Sequence, residues 1–170
     1  MNPATDAARQ RWPTATPVWL ALGPGTLTWR AAPEGDALAT LPLGDEATGT
    51  RFFAGERPTP VELERAIDFV EDALMAALPH WPPGAVLLST NARWLADAGL
   101  AGEMEAGSFT PLSTLAVEAA FQRLASGALG DASAWRELPV GRAAAARLLV
   151  LRETLHHLGL EGLHLWRAPA

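Results

Sequence analysis

Pro17-Val18-Trp19-Leu20-Ala21-Leu22-Gly23-Pro24-Gly25-Thr26-Leu27-Thr28-Trp29-Arg30-Ala31 is the stretch whose pattern decides the fold. Val18, Leu20 and Leu22 alternate with Trp19 and Ala21, breakers interrupt at Gly23-Pro24-Gly25, and an extended pattern resumes at Leu27, so the run predicts a β-hairpin. Pro24 followed by Gly25 fits a type II turn, in which proline presets φ and glycine accepts a positive φ. A third strand is expected after Glu34-Gly35-Asp36, from Ala37 to about Leu43, with Gly44 as its stop. Upstream, residues 1–16 show no apolar period and read as a loose arm preceding a single domain over residues 17–167.

Downstream the period changes from two to about four. Thr59 can cap a helix, Pro60 suits its first position, Glu62 completes a capping box, and Leu63, Ile67, Val70, Leu74 and Leu78 form one apolar stripe. Pro79 and Pro82-Pro83 end it. Ala85-Val86-Leu87-Leu88 is apolar on both parities and bounded by breakers, as a central parallel strand covered on both faces requires. Two more helices are predicted near Leu112–Ser126 and Pro139–Leu158, the second stopped by Gly159, and Leu163-His164-Leu165-Trp166 closes the chain as a fifth strand. The expected architecture is α/β: a mixed five-stranded sheet, three antiparallel strands first, with helices packed on it.

Composition narrows the chemistry. The chain has 170 residues, 49% of them apolar, and no cysteine or tyrosine; its thirteen basic residues are all arginine against nineteen acids, a net charge of −6. A chain of this size buries enough surface for a core without staples, and disulfide, zinc-thiolate and thiol chemistry are excluded. The acidic balance gives no electrostatic footprint for nucleic acid. No apolar run approaches the roughly 20 residues of a membrane helix, and Met1–Gln10 lacks the layout of a signal peptide, so neither nucleic acid nor membrane is an expected partner and a cytoplasmic location is expected.

The order of elements resembles the ribonuclease H-like, actin-like ATPase lobe. Ala21-Leu22-Gly23-Pro24-Gly25-Thr26-Leu27-Thr28-Trp29 is similar to the D-I-G-G-G-S-T-E-L opening of the second lobe in the exopolyphosphatase / guanosine pentaphosphate phosphatase (Ppx/GppA) family. Leu41-Pro42-Leu43-Gly44 resembles that family's S-L-x-L-G, Ser89-Thr90-Asn91-Ala92-Arg93 stands at its G-T-G-G-T-type loop, and Leu138 to Ala144 resembles its L-P-G-L…R-A-D segment. The resemblance covers Pro17 to about Trp166 and implies phosphate held by two glycine-rich loops beside a metal-binding aspartate and a catalytic glutamate.

This chain departs from that pattern at the reactive positions. Ala21 replaces the aspartate, Pro24 removes an N–H donor, Thr28 replaces the glutamate, and Arg93 and Ala144 stand at the family's threonine and aspartate. Apart from Asp6, no acid precedes the first strand to match the glutamate implied on a preceding lobe. The resemblance therefore implies a degenerate lobe with no catalytic and no metal-ligating residue. The candidate phosphate-binding set is Gly23, Gly25 and Thr26 in one loop, Ser89, Thr90 and Asn91 in the other, and Arg93 nearby. Without the resemblance, Gly23–Gly25 reads as a hairpin turn and Ser89–Asn91 as a strand-to-helix turn that caps the next helix.

Other candidates are less pointed. Adjacent His156 and His157 lie about 100° apart on a helix and suit its C-terminal dipole better than a shared metal. His164 with Glu153 and Glu161 is a conceivable mixed ligand set, and Glu103 with Glu105 a conceivable acid–base pair in a glycine-rich loop. No G-x-S-x-G elbow is present. The expected function is a non-catalytic binding or protein-interaction module that covers an apolar flank by self-association, as a homodimer, or with a protein partner, and needs no cofactor. Its rivals are a magnesium-dependent phosphohydrolase acting on polyphosphate or a phosphorylated nucleotide, and a phosphate or nucleotide sensor.

Overall fold

The structure is a computed structural model that describes residues 2–100 and 104–169. The hairpin strands are β1 (Thr16–Leu22) and β2 (Leu27–Arg30), antiparallel with Leu22 opposite Leu27; β3 (Ala37–Leu41) extends them. β4 (Ala85–Ser89) runs parallel to β1, with Trp19 opposite Leu88, and is central as its apolar run predicts. β6 (Gly162–Trp166) runs parallel to β4. The α/β architecture and the mixed sheet stand, with one more strand than expected: the order is β3-β2-β1-β4-β6-β5, six strands.

The additional strand, β5 (Phe109–Ser113), pairs antiparallel with β6. Its sequence hides it, because Pro111 breaks the extended pattern and Leu112 falls in phase with the following helix, α5, which begins only at Thr114 and runs to Ala128 behind a Ser113 cap. β3 also ends earlier than expected, at Leu41 before Pro42. Between β3 and the long helix lies an unforeseen α2 (Asp45–Phe52), two turns with too few apolar residues to register as a period.

The helix α3 (Pro60–Ala77) forms where its cap predicts. Glu62 Oε2 accepts from the Thr59 backbone N–H at 2.7 Å while the Glu62 N–H donates to Thr59 Oγ1. α4 (Arg93–Asp97) follows β4, and α6 (Arg142–His157) gives way to Gly159 at a positive φ of 62°, a conformation suited to glycine. Helices α2 to α6 cover one face of the sheet over Val18, Leu20, Leu87, Leu112, Leu163 and Leu165.

The segment expected as a loose arm carries a helix from Pro3 to Arg11. Asn2 caps, and Pro3 starts, α1 (Pro3–Arg11), which lays Ala4 and Ala8 on the other sheet face against Trp19, Leu88 and Trp166. Trp12 packs edge-on against Phe109 at 4.8 Å and tilted against His164 at 4.7 Å. The footprint is made of alanines four residues apart, so it carries little hydropathic contrast even though the tryptophans beneath it are almost fully buried.

The hairpin turn differs too. Gly25 does not have positive φ, so the type II geometry is absent. The constraint falls on Gly44, where a Cβ would lie 2.2 Å from the Pro24 carbonyl oxygen. That close approach lets the Pro24 and Gly23 carbonyls accept from the Ala47 and Asp45 N–H groups at the start of α2. Gly44→Ala is expected to lose about 1–3 kcal/mol by overpacking, measured by urea unfolding; wild-type stability would show that the loop and α2 are not in contact.

Candidate functional site

Ligands of open α/β sheets gather beyond the carboxyl ends of parallel strands. Here that place is the end of β1 and β4, where a cavity of about 210 Å³ is lined by Trp19, Ala21, Leu22, Ser89, Thr90 and Asn91, among others. Three of the sequence-predicted residues, Ser89, Thr90 and Asn91, meet there. Gly23, Gly25, Thr26 and Arg93 do not line it.

Ser89 is fully buried and its hydroxyl is fully engaged. Oγ donates to the Leu20 carbonyl at 2.9 Å and accepts from the Asn91 N–H and the Trp94 indole N–H, each at 3.2 Å. Asn91 Oδ1 accepts from the Arg93 N–H at 3.1 Å, the turn-capping role that its sequence position suggests. Trp94 is buried beneath, and the Arg93 side chain is exposed. In the other loop the Gly23 N–H donates to the Thr26 carbonyl at 2.9 Å, and the outward carbonyls serve α2. A carbonyl-presenting loop is a poor anion cradle.

A magnesium ion would need oxygen ligands that include carboxylates. The lining supplies two hydroxyls and an amide and no carboxylate, so these residues do not fit that ion. Among the described residues no three His, Asp or Glu side chains gather as a metal-holding group. Glu153 does not join His164: it accepts from Arg152 at 2.6 Å and lies 3.3 Å from His157 Nε2. Burial, and secondarily Arg11, lowers the His164 pKa beneath its Trp12 lid. Glu105 is exposed in a turn, and Glu103 lies outside the described residues.

The strongest polar feature has no counterpart among the sequence candidates. Arg147, on α6, binds Asp97 of α4 through Nε and Nη2 at 2.7 and 3.0 Å and reaches Asp45 of α2 through Nη1 at 2.8 Å. Its partners lie 50 and 102 positions away, so no local motif joins them. The available signal was an arginine inside an apolar helix run, which demands a partner. Donating hydrogen bonds to Asp97 and then to Asp45 pushes the guanidinium pKa up, whereas desolvation pushes Asp97 above its ordinary value despite Arg147. The short two-pronged geometry holds both groups charged.

No protein-family model and no curated protein matches the chain. Solved structures do. A Ppx/GppA phosphatase of Aquifex aeolicus, the type II variant, superposes with a TM-score of 0.69 at 14% identity over 97% of this chain and 58% of its own. Another structure of the Aquifex aeolicus family member gives 0.71 at 15% identity, over 97% and 56%. An exopolyphosphatase-like protein gives 0.60 at 14% identity, over 91% and 56%. The chain thus spans little more than half the length of these proteins.

Arg147→Ala leaves the Asp97 carboxylate buried without its partner, and a loss of about 3–5 kcal/mol is expected by urea unfolding near neutral pH. In the variant the desolvation of Asp97 is no longer opposed by the guanidinium, so its folded state holds the Asp97 proton more tightly than its unfolded chain and its stability falls as pH rises through that folded pKa. The deficit against wild type should therefore narrow from about pH 8 to about pH 5; a deficit that widens in acid would contradict the assignment. Together the strand order, the two sheet faces and these superpositions give the chain the actin-like α/β fold of the Ppx/GppA phosphatase structures.

Proposed function

We propose that this chain is a non-catalytic, single-lobe relative of the Ppx/GppA phosphatases that acts as a binding and protein-interaction module. The observation that carries the reading is the state of its carboxylates. Asp97 and Glu153 are the buried acids among the described residues, and each is bound by arginine. Hydrolysis of a phosphoanhydride needs an oriented water and groups that neutralise charge on the transferred phosphoryl. A general base must also have a free oxygen within hydrogen-bond reach of that water. Asp97 has both oxygens on Arg147, and the residue on β1 that the resemblance sets against an aspartate is Ala21.

The degenerate loops support the same reading. Ser89 holds β4, β1 and Trp94 together, and the Gly23–Thr26 loop caps α2, so both act as structural joints. The cavity beside them leaves the Thr90 hydroxyl and the Asn91 amide for a small ligand, which keeps phosphate sensing as the second reading.

Phosphate release from polyphosphate or guanosine pentaphosphate, measured with magnesium present, is expected to be indistinguishable from a no-protein control. Turnover that disappears in an Asp97→Asn variant would overturn the proposal in favour of the hydrolase. A rise in melting temperature on adding either compound, without turnover and lost in an Asn91→Ala variant, would select the sensor.

A further inference from the structure

The two edges of the sheet are treated differently. β5 carries Pro111, which has no N–H to offer, and proline is a recognised means of blunting an edge against further pairing. β3, Ala37-Leu38-Ala39-Thr40-Leu41, has neither proline nor charge. It is the terminal strand at the opposite edge, and among the described residues its backbone makes no hydrogen bond other than those to β2. Beside it a cavity of about 440 Å³ runs along the strand and the end of α3, lined by Leu38, Ala39, Leu41, Ala73, Ala76 and His80 among others.

We infer that β3 is a self-pairing edge at which a second copy of this chain adds its own β3 antiparallel across a two-fold axis, making one continuous sheet of both copies. The sequence is suited to its own reverse. Centred on Ala39, the pairing sets Ala37 against Leu41, Leu38 against Thr40 and Ala39 against itself, with small or apolar groups at every position and no like charges opposed. The same axis serves α3. Asp72 and Ala76 lie one turn apart on its exposed side and His80 ends the 3₁₀ turn, Leu78–His80, that follows it; Ala76 and His80 line the groove that Ala39 also lines. An antiparallel apposition about Ala76 therefore brings Asp72 of each copy to the second copy's His80, and the intervening alanines let the helices approach. A closed two-fold contact of this kind consumes the open edge and stops at two copies, because the far edge carries Pro111.

This inference deepens the reading of the chain as an interaction module and is tested apart from it, because turnover reads one and size the other. The chain contains no cysteine, so a single introduced thiol reports one position. Sedimentation equilibrium of the wild type at micromolar concentration is expected to give a dimer, and Thr40→Lys, which places a charge on the edge, is expected to shift it to monomer with an unchanged circular-dichroism spectrum. Under mild oxidation Ala39→Cys is expected to form a disulfide-linked dimer, since residues directly opposite in antiparallel strands lie within disulfide reach. Leu115→Cys, exposed on α5, is expected not to cross-link. A monomeric wild type, or a dimer that cross-links through Leu115→Cys and not through Ala39→Cys, would overturn the proposal.

Discussion

Arg147 is the constraint on which the polar interior depends. A guanidinium with five donors in a fixed plane can hold one carboxylate with two prongs and still reach a second. Here it ties α6 to α4 through Asp97 and to α2 through Asp45. Asp45 opens α2, and its backbone N–H is taken by the Gly23 carbonyl, so the arginine also fixes the hairpin loop from behind. Two carboxylates near the carboxyl ends of the strands are thereby committed to holding helices together. Buried pairs of this kind are weak evidence for net stability, but removing one member leaves a charge that nothing else satisfies.

The sheet is packed unequally, and that asymmetry follows from side-chain size. Five helices cover one face with a leucine-rich layer, whereas α1 covers the other with Ala4 and Ala8, because Trp19 and Trp166 already fill the space a larger helix would need. Tryptophan here is largely a core residue: Trp19, Trp29 and Trp94 are among the largest fully buried side chains. Trp94 also works as a polar strut, its indole N–H fixing the Ser89 hydroxyl at the end of β4. Among the described residues no helix is long and apolar enough to cross a membrane.

Much of the fold was legible because its signals are local. The capping box at Thr59–Glu62, the two-parity run of β4 and the stop at Gly159 each rest on residues within a few positions of one another, and each element lies where its pattern puts it. The misses share a physical cause. α1 buries alanines and α2 a threonine and a glycine, residues that generate no hydropathic period, and β5 hides behind a proline. Of the candidate site, the meeting of Ser89, Thr90 and Asn91 at the end of β1 was legible from strand order, but the engagement of Ser89 by Trp94 and of the Gly23–Thr26 loop by α2 was not. Those contacts, like the Arg147 pairs, are set by tertiary packing, which no local pattern encodes.

Carboxylates bound by arginine are unavailable to a metal, and isothermal titration calorimetry of the chain with magnesium addresses that directly. No saturable heat is expected up to millimolar ion, with or without pyrophosphate; a stoichiometric binding isotherm that vanishes in an Asp45→Asn or Asp97→Asn variant would contradict it.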